Sequence, residues 1–548
     1  MTPPATPHPP PSDRGAGGVT VGCSGQSLLD ACRQAIADSA GLAGKIAAKD
    51  ASVWGPDAES EASIRLGWLD CTTVSRPLVP RIEALHEELH GRGVDHIVLA
   101  GMGGSSLAPE VICATYGRPL TTLDTTDPGQ VQAALTDRLD RTAVVVSSKS
   151  GGTLETDSHR RAFEQAFRDA GIDPAERIVV VTDPGSPLHT VATEAGYQLF
   201  EADPNVGGRY SALTAFGLVP SGLAGVPVGK LLDQAEAVQP ALTGDADNPG
   251  LTLGAALGGF GRMGHDKVVL AEAGSGIVGF GDWAEQLIAE STGKLGRGLL
   301  PVVVAGTKSP GFTATADTHL VTLGGDPPPT GSSVAGPLGA QFLVWEFAVA
   351  VAGKLLAINP FDQPNVQESK DNTNAVLERA GDGPLPEERP AFVDGAVEGY
   401  ADAATLGGAT TLAAGLESLL AAVPTDGYLA VMAYLDRLAD SDAAGVRDRL
   451  AARIPHPVTF GWAPRFLHST GQFHKGGPPV GVFLQITGAV QRDVEIPGRP
   501  FGFGRLQAAQ AMGDRQALEQ RARPLLRLHL RDRAEGIRQL LAVAEAGA

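Results

Sequence analysis

The sequence predicts an α/β protein with two doubly wound lobes, a helical N-terminal segment and a mixed C-terminal addition. Two observations carry that expectation. Short aliphatic runs of strand length, such as Ala143–Val146 and Lys267–Ala271, alternate with longer amphipathic stretches of helix length. The 548-residue chain is 43% hydrophobic and holds 70 glycines, enough for several cores joined by many tight turns.

Six prolines fall within the first eleven residues, with no apolar signal core, so residues 1–18 are expected to be a disordered tail without a secretion signal. Residues 19–95 read as mainly helical, for example Leu28–Ala47 and Pro80–Arg92. From His96 the pattern becomes strand, loop, helix: strands at 96–100, 142–146 and 178–182, helices after 107, 153 and 187, together a first lobe over 96–250. A second lobe over 251–372 follows from strands at 267–271, 300–305 and 319–323 and helices at Trp283–Ser291 and 338–357. The longest apolar stretch, Gln341–Ile358, is interrupted by Glu346 and Lys354 and stopped by Asn359-Pro360; it reads as a buried helix and not a membrane span.

The remaining segment, 373–548, begins with 373–425, rich in Ala, Gly, Asp and Glu and expected as outer helices and linkers. Alternation then resumes with Tyr428–Tyr434, a helix over 435–453, Val458–Trp462 and Val480–Ile486. Tail helices around 505–521 and 530–545 flank a strand marked by Leu526, Leu528 and Leu530. Two similar lobes place a site between them, outside the carboxyl ends of their strands.

Charge narrows the partners. The formal net charge of −19 argues against nucleic acid and anionic membrane surfaces, so an anionic substrate has to be drawn by local cations and helix N-termini. Four cysteines without metal-type spacing fit a reduced, cytoplasmic protein.

Two loops carry the chemistry. Strand Ala143–Val146 runs into Ser147-Ser148-Lys149-Ser150-Gly151-Gly152-Thr153 and then a helix, and His96–Ala100 runs into Gly101-Met102-Gly103-Gly104-Ser105-Ser106. Each arrangement aims backbone N–H and hydroxyl donors at one spot, which suits a phosphate. The glycine spacing is neither the dinucleotide fingerprint nor a Walker A loop. Two such loops imply a sugar phosphate held at both ends.

These loops, with Gly207-Gly208-Arg209-Tyr210-Ser211, the helix Gln286–Lys294 and Asn359–Lys370, resemble the phosphoglucose isomerase family in five motifs taken in order. Phe466–Pro478 resembles the isomerase half of bacterial transaldolase–phosphoglucose isomerase fusions; the chain is expected to stand alone, without the barrel half. The resemblance implies sugar-isomerase-type lobes and reversible isomerisation of glucose 6-phosphate and fructose 6-phosphate through an enediolate, in glycolysis and gluconeogenesis. It also implies a homodimer. No metal or organic cofactor is expected, because acid–base side chains suffice for enediol chemistry and no His/Cys/carboxylate cluster has ligand spacing. A dual phosphoglucose/phosphomannose isomerase and a non-catalytic sugar-phosphate-binding protein are the alternatives; the departure to Ser150-Gly151-Gly152 from the family's usual Thr-x-Thr keeps the first open.

The residue types fit that chemistry. Glu290, one helical turn after Gln286 and on the same face, is a suitable base for a carbon-bound proton. Arg209, after two glycines, can oppose charge that develops on an enediolate oxygen. Gly104, Ser105, Ser148, Lys149, Ser150, Gly151, Gly152, Thr153 and Gln286 are the expected substrate-binding residues. Lys370 matches the family's ring-opening lysine. Two histidines, His468 and His474, follow it, and the His474-Lys475-Gly476-Gly477 context selects His474 as the ring-opening group, with His468 as the alternative.

Overall fold

The computed structural model describes residues 16–381, 383–386 and 388–546, so the expected tail lies outside the described residues apart from 16–18. Three sheets organise the chain. The first has the spatial order Thr121–Leu123, His96–Gly101, Thr142–Ser147, Ile178–Thr182, Gln198–Glu201, all parallel, with His96 opposite Thr142 and Val144 opposite Ile178. Helices cover both faces, which is why the central strands are continuous runs of buried aliphatic residues rather than alternating ones.

The second sheet is parallel through Gly331–Ala335, Thr318–Leu323, Lys267–Glu272 and Leu300–Val304. Its edge is an antiparallel strand from the N-terminal segment, Thr20–Ser24, paired with Gly331–Ala335. The segment expected to be mainly helical therefore opens with a strand. Only Val21 and Thr20 in Thr20–Ser24 are β-branched, so nothing local announces it, and the neighbouring edge supplies its pairing. The expected helix Leu28–Ala47 is two helices, Gln26–Asp38 and Leu42–Ala47, separated where Gly41 takes a left-handed conformation.

The third sheet runs Phe392–Asp394, Val397–Tyr400, Leu525–Leu530, Gly481–Gly488, Tyr428–Tyr434, Val458–Trp462, its last four strands parallel. The expected helix over 435–453 is shorter, Gly445–Arg453 after a 3-10 turn, because the Asp436 carboxylate takes the N–H groups of Leu438 (2.9 Å) and Ala439 (3.0 Å) and holds a turn instead.

Helix Leu338–Leu355 is long and apolar enough to cross a membrane, yet it lies 89% buried at the heart of the molecule. It packs against Pro249–Arg262, whose Gly250, Gly254 and Gly258 fall on one face; a Cβ on Gly254 would sit 2.5 Å from Val351. Burial pushes the Glu346 carboxyl well above its ordinary range, so this helix carries it neutral. The four cysteines are free thiols.

Candidate active site

A cleft of about 400 Å³ opens between the first and second sheets. Its walls are the turns after His96–Gly101 and Thr142–Ser147, the turn Gly208–Tyr210, the helix Phe280–Thr292, the start of Val366–Ala380, and His468 from the C-terminal segment. Of the expected residues, Gly104, Ser105, Ser148, Lys149, Ser150, Thr153, Arg209, Gln286, Glu290 and Lys370 line it. Gly152 lines an adjoining chamber of about 290 Å³ that shares Ser150, Thr153, Lys370 and His468 with the cleft. Gly151 shapes the turn: its φ is +65°, and a Cβ there would lie 2.7 Å from the Leu188 backbone nitrogen.

The phosphate-type turn is built from hydroxyls that are not spent on capping. Thr153 is the N-cap of helix Leu154–Asp169, yet its side chain makes no capping bond and meets Ser148 Oγ at 3.1 Å. The first N–H groups of a 16-residue helix and two hydroxyls thus face the same space. Lys149 is not a free cation here, since its ammonium donates to Asp183 Oδ2 at 2.6 Å. If this turn holds a part of the substrate that does not react, replacing both hydroxyls, in the double variant Ser148→Ala/Thr153→Ala, is expected to raise KM at least tenfold and leave kcat within a few-fold. Steady-state kinetics checks it; a fall in kcat at unchanged KM contradicts the assignment.

On the opposite wall Gln286 Nε2 donates to Glu290 Oε2 at 2.9 Å, and Arg209 Nη1 lies 3.5 Å from Glu290 Oε1. The Arg209 guanidinium is fixed on all sides: Nε donates to Ser291 Oγ (2.7 Å), Nη1 to Gln363 Oε1 (2.8 Å), and Nη2 to the carbonyls of Pro360 (2.6 Å) and Asp362 (3.0 Å). Lys294, at the end of the same helix, ties that turn down through Asn359 O (2.7 Å) and Asp362 Oδ1 (2.6 Å). Burial, followed by the neighbouring Arg209 charge, lowers its pKa to about 8.

His474 is not part of this cleft. It is buried among Tyr428, Phe466 and Phe483, its Nδ1 hydrogen-bonded to the Tyr428 hydroxyl at 2.9 Å. Burial and then the Lys475 and Arg523 charges push its pKa down to about 3. The imidazole that reaches the cleft belongs to His468, whose Nε2 donates to Glu155 Oε1 at 3.1 Å. Glu155 also accepts from Gln510 Nε2 at 2.8 Å. Burial alone would raise the Glu155 carboxyl, but the His468 charge, its hydrogen bond, a backbone N–H and the Lys370 charge outweigh it and hold the pKa at about 2. Glu155, Gln363 and Gln510 are the residues that sequence reasoning misses. Glu155 carries one signal, a carboxylate in the first turn of a helix whose N-terminus faces the cleft.

The placement of His474 sets a pH dependence of stability. Its folded pKa of about 3 lies below the ordinary histidine value of 6.5, so the unfolded chain binds the extra proton first. Stability contributed by the neutral ring is complete above pH 6.5 and is lost as pH falls from there toward 3. His159 and His319, lowered by burial to about 4 and about 3, act in the same direction. Thermal melts from pH 7 to 4 are expected to show a falling Tm, with a shallower slope in His474→Phe; an unchanged slope contradicts the buried neutral ring.

Parallel-sheet lobes whose loops enclose such a cleft define the sugar-isomerase class of α/β fold. Solved structures with this fold include a hypothetical protein of Thermus thermophilus (TM-score 0.56, 22% identity, covering 66% of this chain and 99% of that one). A glucose-6-phosphate isomerase of Chlamydia trachomatis matches with TM-score 0.53 and 19% identity over 67% of this chain and 90% of that one. No family model matches the chain. Among curated proteins, a probable glucose-6-phosphate isomerase of Natronomonas pharaonis is 30% identical over 339 residues, 58% of this chain and 77% of that protein. The glucose-6-phosphate isomerase of a Cyanothece species is 35% identical over 252 residues, 43% of this chain and 47% of that protein. The chain belongs to the glucose-6-phosphate isomerase family. It spans about half the length of several of the curated relatives it matches.

Proposed function

We propose that the chain interconverts glucose 6-phosphate and fructose 6-phosphate through an enediolate. The observation that carries this reading is the pairing in one cleft of a partly desolvated carboxylate, Glu290, 12% exposed and bracketed by Gln286 and Arg209, with the hydroxyl-rich helix N-terminus at Ser148 and Thr153. The phosphate is held at that turn, and the sugar carbons reach Glu290. The Glu290 carboxylate takes the proton from C2 of the open-chain aldose and returns it to C1, while the proton on O2 is given up and O1 gains one. Negative charge on the enediolate oxygen is met by Arg209, whose carbonyl and hydroxyl partners keep it in place without reorganisation. Gln286 Oε1, buried and without a partner among the described residues, is an acceptor for a substrate hydroxyl.

Ring opening falls to His468 in place of His474, with Lys370 beside it. A proton passes between the ring oxygen and the anomeric hydroxyl, and an imidazole oriented by Glu155 can shuttle it. The test is direct assay of the purified chain with fructose 6-phosphate, following glucose 6-phosphate formation through an added dehydrogenase, with mannose 6-phosphate in parallel. Turnover of fructose 6-phosphate to glucose 6-phosphate is expected; absence of turnover with intact sugar-phosphate binding contradicts the reading.

A further inference from the structure

We infer that Cys23 and Cys32 form a peroxide-oxidisable dithiol, closing a reversible disulfide that pins the N-terminal edge strand to the helix that follows it. Cys23 sits in the edge strand Thr20–Ser24 and Cys32 in the helix Gln26–Asp38, with Gly25 alone between the two elements. Gly25 takes φ +92°, where a side chain is strained, and turns the chain back so that the helix lies against the strand. Cys23 packs against the cluster of Leu28, Ala31, Cys32, Ala256 and Phe260, and the two thiols hydrogen-bond each other.

The two sulfurs are unequal, as in a reactive thiol beside a resolving one. Cys32 is buried, and the hydrogen bond to Cys23, together with that burial, keeps it protonated. Cys23 is only part-buried, so a peroxide can reach it. The hydrogen bond from Cys32 outweighs burial and lowers the Cys23 pKa below the ordinary thiol value, and the Ser332 hydroxyl, 3.7 Å from the sulfur, adds to the effect. Ser332 stands directly opposite Cys23 in the neighbouring strand and is itself met by His319 Nε2 at 2.9 Å. With the proton on Nε2, the imidazole donates to Ser332 Oγ and leaves the hydroxyl hydrogen for the sulfur. Cys71 and Cys113 are different: both are buried, and burial raises the pKa of each.

The chemistry balances with hydrogen peroxide as the oxidant. The Cys23 thiolate attacks one peroxide oxygen, the O–O bond breaks, and the departing hydroxide takes a proton to become water, leaving a sulfenic acid on Cys23. The Cys32 sulfur then attacks the Cys23 sulfur; the S–O bond breaks, and the hydroxide leaves with the Cys32 proton as a second water. Two thiols lose two electrons in all, and one peroxide gains them. Neither sulfur lines the cleft, so the bond acts on the frame of the second lobe. It joins the strand paired with Gly331–Ala335 to a helix seated closely on Pro249–Arg262, where a Cβ at Gly259 would lie 2.9 Å from that of Ala35.

The test uses the full chain, reduced, freed of reductant and exposed to a small excess of hydrogen peroxide under native conditions, then quenched in acid, alkylated and digested with trypsin. Arg14 and Arg33 place both cysteines in one tryptic peptide, 15–33. That peptide is expected to pass from a doubly alkylated form to an unalkylated one, lighter by two hydrogens than the dithiol, and to revert fully with dithiothreitol. The change is expected to run at least about tenfold faster than loss of alkylation at Cys71 or Cys113. In Cys32→Ala, Cys23 is expected to stop at the sulfenic acid and to be captured by dimedone; the wild-type mapping decides the matter whether or not this variant folds. Cys23 passing to sulfinic acid while Cys32 is still alkylated overturns the proposal. So does a 15–33 peptide that reacts no faster than Cys71 and Cys113, or that links only to a second chain.

Discussion

Glu290→Gln is expected to keep sugar-phosphate affinity within a few-fold and to lose isomerisation by roughly three orders of magnitude or more, since an amide cannot accept the carbon proton. The change is nearly isosteric, and the neighbours of Glu290 can tolerate it. Gln286 can still place its amide beside position 290, and Arg209 keeps its bonds to Ser291, Pro360 and Asp362. Binding measured by calorimetry with a non-isomerisable sugar phosphate separates loss of chemistry from loss of the fold. Near-normal turnover removes Glu290 from the mechanism.

His468→Ala is expected to lower turnover of cyclic substrate by roughly two orders of magnitude, the contribution of a positioned acid–base group. An aldose phosphate too short to cyclise bypasses ring opening, so the variant is expected to recover most of its loss on that substrate, whereas Glu290→Gln recovers none. His474→Ala removes a buried ring and leaves the Tyr428 hydroxyl without its partner. Its expected cost is in stability, about 2–4 kcal/mol, with no difference between cyclic and open-chain substrates. A substrate-dependent rescue in His474→Ala, and not in His468→Ala, reverses the assignment.

Much of the architecture is written in short runs of residues. Central strands such as Thr142–Ser147 and Lys267–Glu272 are legible because a strand covered on both faces has to be aliphatic throughout. Edge strands such as Thr20–Ser24 and Gln198–Glu201 are not, because they are short and their identity comes from the neighbour they pair with. Within the site, the segments around Gly104, Ser148, Arg209, Glu290 and Lys370 are each locally patterned and converge on the cleft. Local pattern favours His474, whereas His468 is the histidine that lines the cleft, and the reason is conformational. Ser469 has φ −142° and ψ −96°, so the chain breaks between the turn carrying His468 and the helix Gly471–Gly476 carrying His474, and the two rings go to different environments. Glu155 and Gln510, separated by 355 residues, act on His468 as a unit that no local spacing reveals.

The most direct test of the account is proton NMR of fructose 6-phosphate incubated with the purified chain in deuterium oxide. Transfer through an enediolate at an exchangeable carboxylate predicts glucose 6-phosphate with deuterium at C2 in at least part of the product, and none formed by Glu290→Gln. Glucose 6-phosphate formed entirely without deuterium, or formed equally well by Glu290→Gln, would contradict it.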